Sequence, residues 1–262
     1  MSTEGRFDPF AGTGPRWRAV PAWRPFLEDL AAGVLDWLGD APPERWLPAE
    51  VRVLAGRLDT YIAENAKTAR AFLKLIGTVR PLQEITIHTL SPKTDAGQIQ
   101  QWLAPVRQGQ DIGLVSEAGC PAVADPGAKV VDAAHRLGIT VKPWVGPSSI
   151  LMALMASGFN GQSFAFHGYL PIDAGERAKK LKQLEARAYS DDQTQLFIET
   201  PYRNQKLAED ILQQCSPKTR LCIAMNISLP DAFIVTRSVK AWKGKLPDMH
   251  KKPTVFLIYK GS

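Results

Sequence analysis

Cysteine is scarce in this chain and does not cluster: Cys120, Cys215 and Cys222 share no CxxC spacing. That speaks against a disulfide framework or a cysteine-based zinc site, leaves no metal to be expected, and suits a reducing cytoplasm. Long apolar runs are lacking too. Nowhere do about 18 apolar residues follow one another, so no membrane span is expected. The opening MSTEGRFDPFAGTGPRWR has no apolar centre of the secretory-signal kind. Neither of the common glycine-rich phosphate loops, GxxxxGK[ST] and GxGxxG, occurs.

Lysine is missing from the first 66 residues, although the chain holds sixteen, and the first isoleucine is Ile62. Four of the seven tryptophans (Trp17, Trp23, Trp37, Trp46) and seven prolines fall in the first 48 residues. Residues 5–25 are rich in Gly, Pro, Arg and Trp without periodicity and read as irregular. PFLEDLAAGVLDWLG reads as a short amphipathic helix with Phe26, Leu30, Val34 and Leu38 on one stripe.

From Leu47 onward the composition is that of an ordinary domain, and short apolar runs alternate with helical patterns. PAEVRVLAGRL, AKTARAFLKLIG, AGQIQQWLAPVRQG, GAKVVDAAHRLG and PSSILMALMASG read as helices. DTYIAEN, ITIHTL, DIGLVSE, ITVKPWV, SFAFHGYLP, TQLFIET, RLCIAMNIS, AFIVTRSVKAWKG and PTVFLIYKG read as strands. ERAKKLKQLEARAYS and YRNQKLAEDILQQC are further helices, the lysines 179, 180 and 182 reading as a solvated face. This alternation predicts an α/β architecture with largely parallel pairing. Three parts are expected: an atypical, partly irregular segment 1–47, an α/β domain 48–160, and a second α/β domain 161–262, the glycines of GFNGQSFAF marking the last boundary. A net charge of +6 mildly favours polyanions as partners.

One stretch concentrates turn chemistry. GLVSEAGCPAVADPG, residues 113–127, is a strand running into glycines, prolines and small side chains before a helix. In open α/β sheets the carboxyl ends of strands are where ligands sit. Gly119 and Gly127 let backbone approach a ligand, and Pro121 and Pro126 fix the loop's path. WVGPSSILMALMASG repeats the arrangement, with Ser148 and Ser149 in the first turn of a helix whose free amides favour an anion or a ribose.

These segments, with FAFHGYLP and LFIETPYRN, resemble the tetrapyrrole-methylase-like superfamily of S-adenosylmethionine (SAM) methyltransferases. Within it they are most similar to the bacterial 16S rRNA (cytidine 2′-O)-methyltransferase branch, over about residues 48–260. The resemblance implies two α/β domains with mixed sheets and flanking helices, a cofactor cleft between them, and a homodimer. It implies that SAM lies against Ser116, Glu117, Ala118, Gly119, Cys120 and Pro121, and against Ala124, Asp125 and Pro126. By the same resemblance Gly146, Pro147, Ser148 and Ser149 would form a second wall, and Glu199, Thr200, Ala224, Met225 and Asn226 would close over the adenosine.

AENAKTAR matches the branch's AEDTR motif at Glu64, Asn65, Lys67 and Thr68. Glu64 is then the general-base candidate and Lys67 a contact for phosphate or developing charge, with Arg203 the third catalytic candidate. Asn65, Thr68 and Tyr202 are candidate substrate contacts, Tyr202 standing where the family usually has histidine. The plainer alternatives are a helix-capping carboxylate for Glu64 and a surface salt bridge for Arg203. Alignment of nucleophile, methyl carbon and sulfur supplies up to about 7–11 kcal/mol in such a displacement.

The expected activity is SAM-dependent 2′-O-methylation of ribosomal RNA, free or in the small ribosomal subunit. The alternatives are a tetrapyrrole or other small-molecule methylase, and a non-catalytic SAM- or RNA-binding relic. Two departures bear on the choice. AMNISLPDAF puts Asn226 and Leu229 where the branch has an acidic residue and a lysine. The branch's opening strand, of the kind LYLVPTPLG, has no counterpart before LGDAPPERWLP. Residues 1–37 are therefore expected to be a replacement or misassigned start, leaving the first sheet one strand short.

Overall fold

Five residues from the stretch read as irregular lie in the interior of a sheet. The computed structural model describes residues 16–20, 47–116 and 119–261; Arg16–Val20 form strand β1, whose backbone pairs in parallel on both sides. Trp17 is opposite Ile112 on one side and Val141 on the other. The expectation of a missing strand is thereby corrected. Ladder hydrogen bonds are made by the backbone, and five residues carrying two arginines are too short a run for alternation to register. The helix expected over residues 26–38 lies outside the described residues, as do Glu117 and Ala118.

The first of two compact units contains β1 and residues 47–146. It continues with α1 (Ala49–Ala55), β2 (Thr60–Ala63), α2 (Ala66–Ile76), β3 (Thr86–Thr89), α3 (Ala96–Leu103), β4 (Ile112–Val115), α4 (Ala128–Arg136) and β5 (Thr140–Pro143). All strands are parallel, in the order β3-β2-β4-β1-β5. Alternation sorts the side chains. Tyr61, Ala63 and Val115 pack with Val51, Ala55, Phe72 and Leu73 of α1 and α2. Ile62, Ile112 and Leu114 pack on the other face with Ile99, Leu103, Val130 and Ala134 of α3 and α4. Gly113 carries no side chain because the Tyr61 ring occupies the space a Cβ would take. The Tyr61 hydroxyl donates to the Ala55 carbonyl, and burial raises its pKa, so it stays a donor.

The second unit spans 147–261 among the described residues, so the division falls at Gly146/Pro147, ahead of the glycines at 158–166. It comprises α5 (Ser149–Ser157), β6 (Phe164–Tyr169), α6 (Ala174–Ser190), β7 (Thr194–Ile198), α7 (Asn204–Gln214), β8 (Arg220–Met225), β9 (Phe233–Ser238), α8 (Val239–Trp242) and β10 (Thr254–Tyr259). Its sheet runs β6-β7-β10-β8-β9, with only β6 and β7 parallel. Here the expectation of largely parallel pairing does not hold. The short link from β8 to β9 turns back on itself through Asn226 and Ser228, at φ 51° and 72°. The small-residue helix α5 belongs to this unit, packing Ala153 and Leu154 against Leu196, Cys222, Ala224 and Leu257. The other face buries Phe197, Ile223, Met225 and Phe256 beneath α6 and α7.

A charged pair ties α6 to α7. Arg177 Nε and Nη2 lie 2.7 and 2.6 Å from Asp210 Oδ2, and Arg177 Nη1 donates to the Pro171 and Ile172 carbonyls. Burial pushes the Asp210 carboxyl up, but hydrogen bonds from Lys206 and Arg177 more than offset this and hold it below its ordinary 3.8. A depressed folded pKa means stability that is present above 3.8 and lost as acid titrates the folded carboxyl. Asp210→Asn should therefore cost about 3–5 kcal/mol near neutral pH, by leaving Arg177 unpaired, and flatten the acid limb of stability against pH. Urea titrations across pH read both effects. Separately, Arg18→Pro should remove a ladder donor from β1 and cost about 1–3 kcal/mol in urea unfolding; an unchanged midpoint would show that β1 does not hold the sheet.

Candidate active site

Parallel strands deliver their C-terminal loops to one edge. Val20, Ala63 and Val115 are in register across β1, β2 and β4, so Glu64 and Ser116 each stand one residue past aligned strand ends. β1 and β4 are neighbours, yet β1 leads on toward β2 and β4 leads on toward β5, in opposite directions along the sheet. With right-handed crossovers those connections cover opposite faces, consistent with α1 and α2 on one and α3 and α4 on the other. This is the switch point at which open α/β sheets take ligands, and the loop after β4 lies on it.

That loop is held by its own polar groups. Buried Ser116 donates its hydroxyl to the Gly119 carbonyl at 3.1 Å. Asp125 Oδ1 accepts from the Ala122 and Gly127 amides at 2.8 and 2.5 Å. The Ala122 and Ala124 backbones are left-handed, at φ 69° and 58°, a conformation costing about 1–2 kcal/mol for a residue with a Cβ. Gly127 has no room for one: a Cβ there would lie 2.6 Å from Asp125 Oδ1 and 2.9 Å from Leu114 Cδ2. Gly119, at φ 70°, is the opposite case, with nothing within 4 Å of where its Cβ would be. Cys120 and Pro121 are half-buried beside it, as is Pro126 further along.

The AENAKTAR turn lies on the same edge. Asn65, not Glu64, caps α2: its Oδ1 accepts from the Lys67 and Thr68 amides at 2.9 and 3.4 Å. The N-cap position is thus taken by Asn65, and Glu64 is half-buried just past β2. Lys67 is exposed on the first turn and Thr68 is half-buried. Gly146 closes this unit's chain after β5.

In the second unit, Ser148 caps α5 through its hydroxyl to the Leu151 amide and Ser149 opens the helix. At the carboxyl end of β7, buried Glu199 Oε1 accepts from the Thr200 amide and from Arg203 Nη2, both at 2.6 Å. Arg203 thus makes an ion pair, with a carboxylate that is buried rather than on the surface. Ala224 and Met225 spend their side chains in the two apolar layers, leaving only backbone for a ligand. Asn226 shapes a turn: its amide donates to the Pro253 carbonyl at 3.0 Å and Nδ2 to Asp231 at 2.7 Å. Tyr202 is exposed, edge-on to His250 and beside Lys251. Those last two residues escaped the sequence reading, being distant in the chain and part of no local motif. So did the bracing role of Asp125, for which the spacing to Gly127 was the available signal. Among the described residues, no group of three acidic, His or Cys side chains is placed to hold a metal ion.

Residues 48–241 match the family model of the tetrapyrrole (corrin/porphyrin) methylases. The chain belongs to that family. Curated relatives of this tetrapyrrole methylase bear the name ribosomal RNA small subunit methyltransferase I. The Mesorhizobium japonicum protein is 35% identical over 153 residues, 58% of this chain and 48% of that one. The Bacillus subtilis protein is 32% identical over 56% of this chain and 47% of its own, and the Pasteurella multocida protein 28% identical over 77% and 70%. The chain thus spans about half the length of most curated relatives it matches. Among solved structures, the methyltransferase CobJ is similar at a TM-score of 0.57 with 17% identity, covering 94% of both chains. A uroporphyrin-III-C-methyltransferase from Thermus thermophilus gives 0.50 with 18% identity, covering 94% of this chain and 92% of its own. These likenesses show a shared fold.

Asp125→Ala should leave two loop amides without an acceptor, a local loss of about 1–2 kcal/mol. Hydrogen exchange at Ala122 and Gly127 should then quicken roughly ten-fold with α4 protected as before.

Proposed function

We propose that the protein is a SAM-dependent methyltransferase that methylates a ribose 2′-hydroxyl in RNA of the small ribosomal subunit. The observation that carries this reading is the self-braced loop 116–127 at the switch point, next to the Glu64–Lys67 turn. A nucleoside laid against backbone needs a surface clear of side chains, and Gly119 offers one, open where a Cβ would stand. The donor set fits: Ser116, Gly119 to Pro121, Ala124 to Pro126 and Gly146 would hold the cofactor, mostly through backbone. The names of the relatives support ribosomal RNA as the substrate class. The net charge of +6 is consistent with a polyanion.

Bound SAM supplies a methyl group on a sulfonium. The chain's part is to direct a weak nucleophile and manage its proton. The Glu64 carboxylate takes the proton of the attacking ribose hydroxyl, and the Lys67 ammonium, on the first turn of α2, offsets negative charge on the oxygen or an adjoining phosphate. Asn65 acts through the helix it caps, fixing where Lys67 and Thr68 begin. As in the family it resembles, the protein is proposed to work as a homodimer, which sedimentation reads.

Calorimetric titration with S-adenosylhomocysteine should give one site per chain in the wild type. Gly119→Val, which fills the open face, should abolish it, while stability in thermal melting falls by only about 1–2 kcal/mol, the cost of a side chain at this left-handed backbone. Labelled methyl should then pass to small ribosomal subunits and be recovered after alkaline hydrolysis in dinucleotides, whose linkage a 2′-O-methyl protects; Glu64→Gln should lower kcat by about a hundred-fold or more. Folded protein that binds no S-adenosylhomocysteine would sink the reading, and label recovered in mononucleotides after alkali would move the methyl off the ribose oxygen.

A further inference from the structure

The turn after β7 carries a surface that the chemistry above does not use. Loop 248–253 is latched onto that turn. The Lys251 amide donates to the Pro201 carbonyl at 3.2 Å, Asn204 Nδ2 to the Lys252 carbonyl at 2.7 Å, and the Met249 amide to Gln205 Oε1 at 3.3 Å. The Met249 side chain is sunk in the core. Lys251 itself is held left-handed at φ 59°, a conformation that persists only where surroundings impose it.

What the latch presents is an aromatic ring with an ammonium and an imidazole beside it. Tyr202 is 52% exposed. Lys251 Nζ lies 5.7 Å from the ring centroid, and the His250 ring meets it edge-on at 5.9 Å. The nearby acid, Asp248, is engaged by the His250 amide at 3.0 Å and by Lys252 at 3.7 Å. Lys251 has no carboxylate within ion-pair distance among the described residues. Thr254 pairs with Met225 and the Asn226 amide donates to the Pro253 carbonyl at 3.0 Å, so loop 248–253 adjoins the β8 turn as well.

An exposed ring beside an uncompensated ammonium matches a nucleobase joined to a phosphate, the pairing that single-stranded nucleic acid offers. We propose that Tyr202, His250 and Lys251 form a contact surface for single-stranded RNA, a base against the Tyr202 ring and a phosphate against Lys251 and His250. This rests on the reading of RNA as substrate. The test is fluorescence anisotropy of the full chain with a short labelled single-stranded oligoribonucleotide, across salt concentrations. Tyr202→Ala should weaken binding at least about five-fold, and Tyr202→Phe should restore it. Lys251→Gln should reduce the slope of log K against log salt by about one. Thermal melting, unchanged in each variant, separates these losses from misfolding. Variants that bind as the wild type does would overturn the proposal and leave the RNA reading standing; a wild type that binds no RNA would end both. Equal affinity for polyglutamate, with the same loss in Tyr202→Ala, would overturn it in favour of an acidic protein partner.

Discussion

The first sheet depends on the two parallel ladders made by β1. Those ladders are the sole link among the described strands between the β3-β2-β4 layer and β5. Remove β1 and the sheet separates into a three-stranded piece and a lone strand. Register then matters as much as presence. A one-residue slip would reverse which face each side chain of the slipped strand takes, and would pull Val20 out of line with Ala63 and Val115. The edge that gathers Glu64 and Ser116 is thus a product of strand alignment before it is a product of side chains.

The two units use strand ends differently. On the first, the loop after β4 is stiffened from within by Ser116 and Asp125, and Gly119 leaves the space of its absent side chain open. Small residues in left-handed conformations are the cost of that arrangement. On the second, the strand end is capped by a buried carboxylate and guanidinium, Glu199 and Arg203, and the exposed groups are large, aromatic and cationic. Alanine at positions 122 and 124 and lysine at 251 are strained alike, but one strain bares the chain and the other aims a side chain.

Local chemistry is what the sequence made legible. Gly and Pro punctuation located loop 116–127, and helical spacing located α2 and α4 close to their observed limits. Strand direction was not legible in the second unit, because antiparallel and parallel strands carry the same apolar runs; pairing partners decide it. β1 escaped because its evidence is in its neighbours, Ile112 to Val115 and Thr140 to Pro143, rather than in its own five residues. The resemblance made Tyr202 a candidate substrate contact, but its neighbours His250 and Lys251 come 48 and 49 residues later in the numbering and meet it through latches no motif encodes.

The placement of β1 also has a consequence for how the chain matures during synthesis. Its partners Ile112–Val115 and Thr140–Pro143 are made roughly ninety to a hundred and twenty residues later. At about 5–20 residues per second, both backbone edges of β1 stay unpaired for roughly 5–19 s, and the edge that meets β5 for roughly 6–25 s. During that interval it is a template for any other extended segment nearby. The first sheet is consequently completed late on the ribosome, after β2, β3 and β4 have already had the chance to pair.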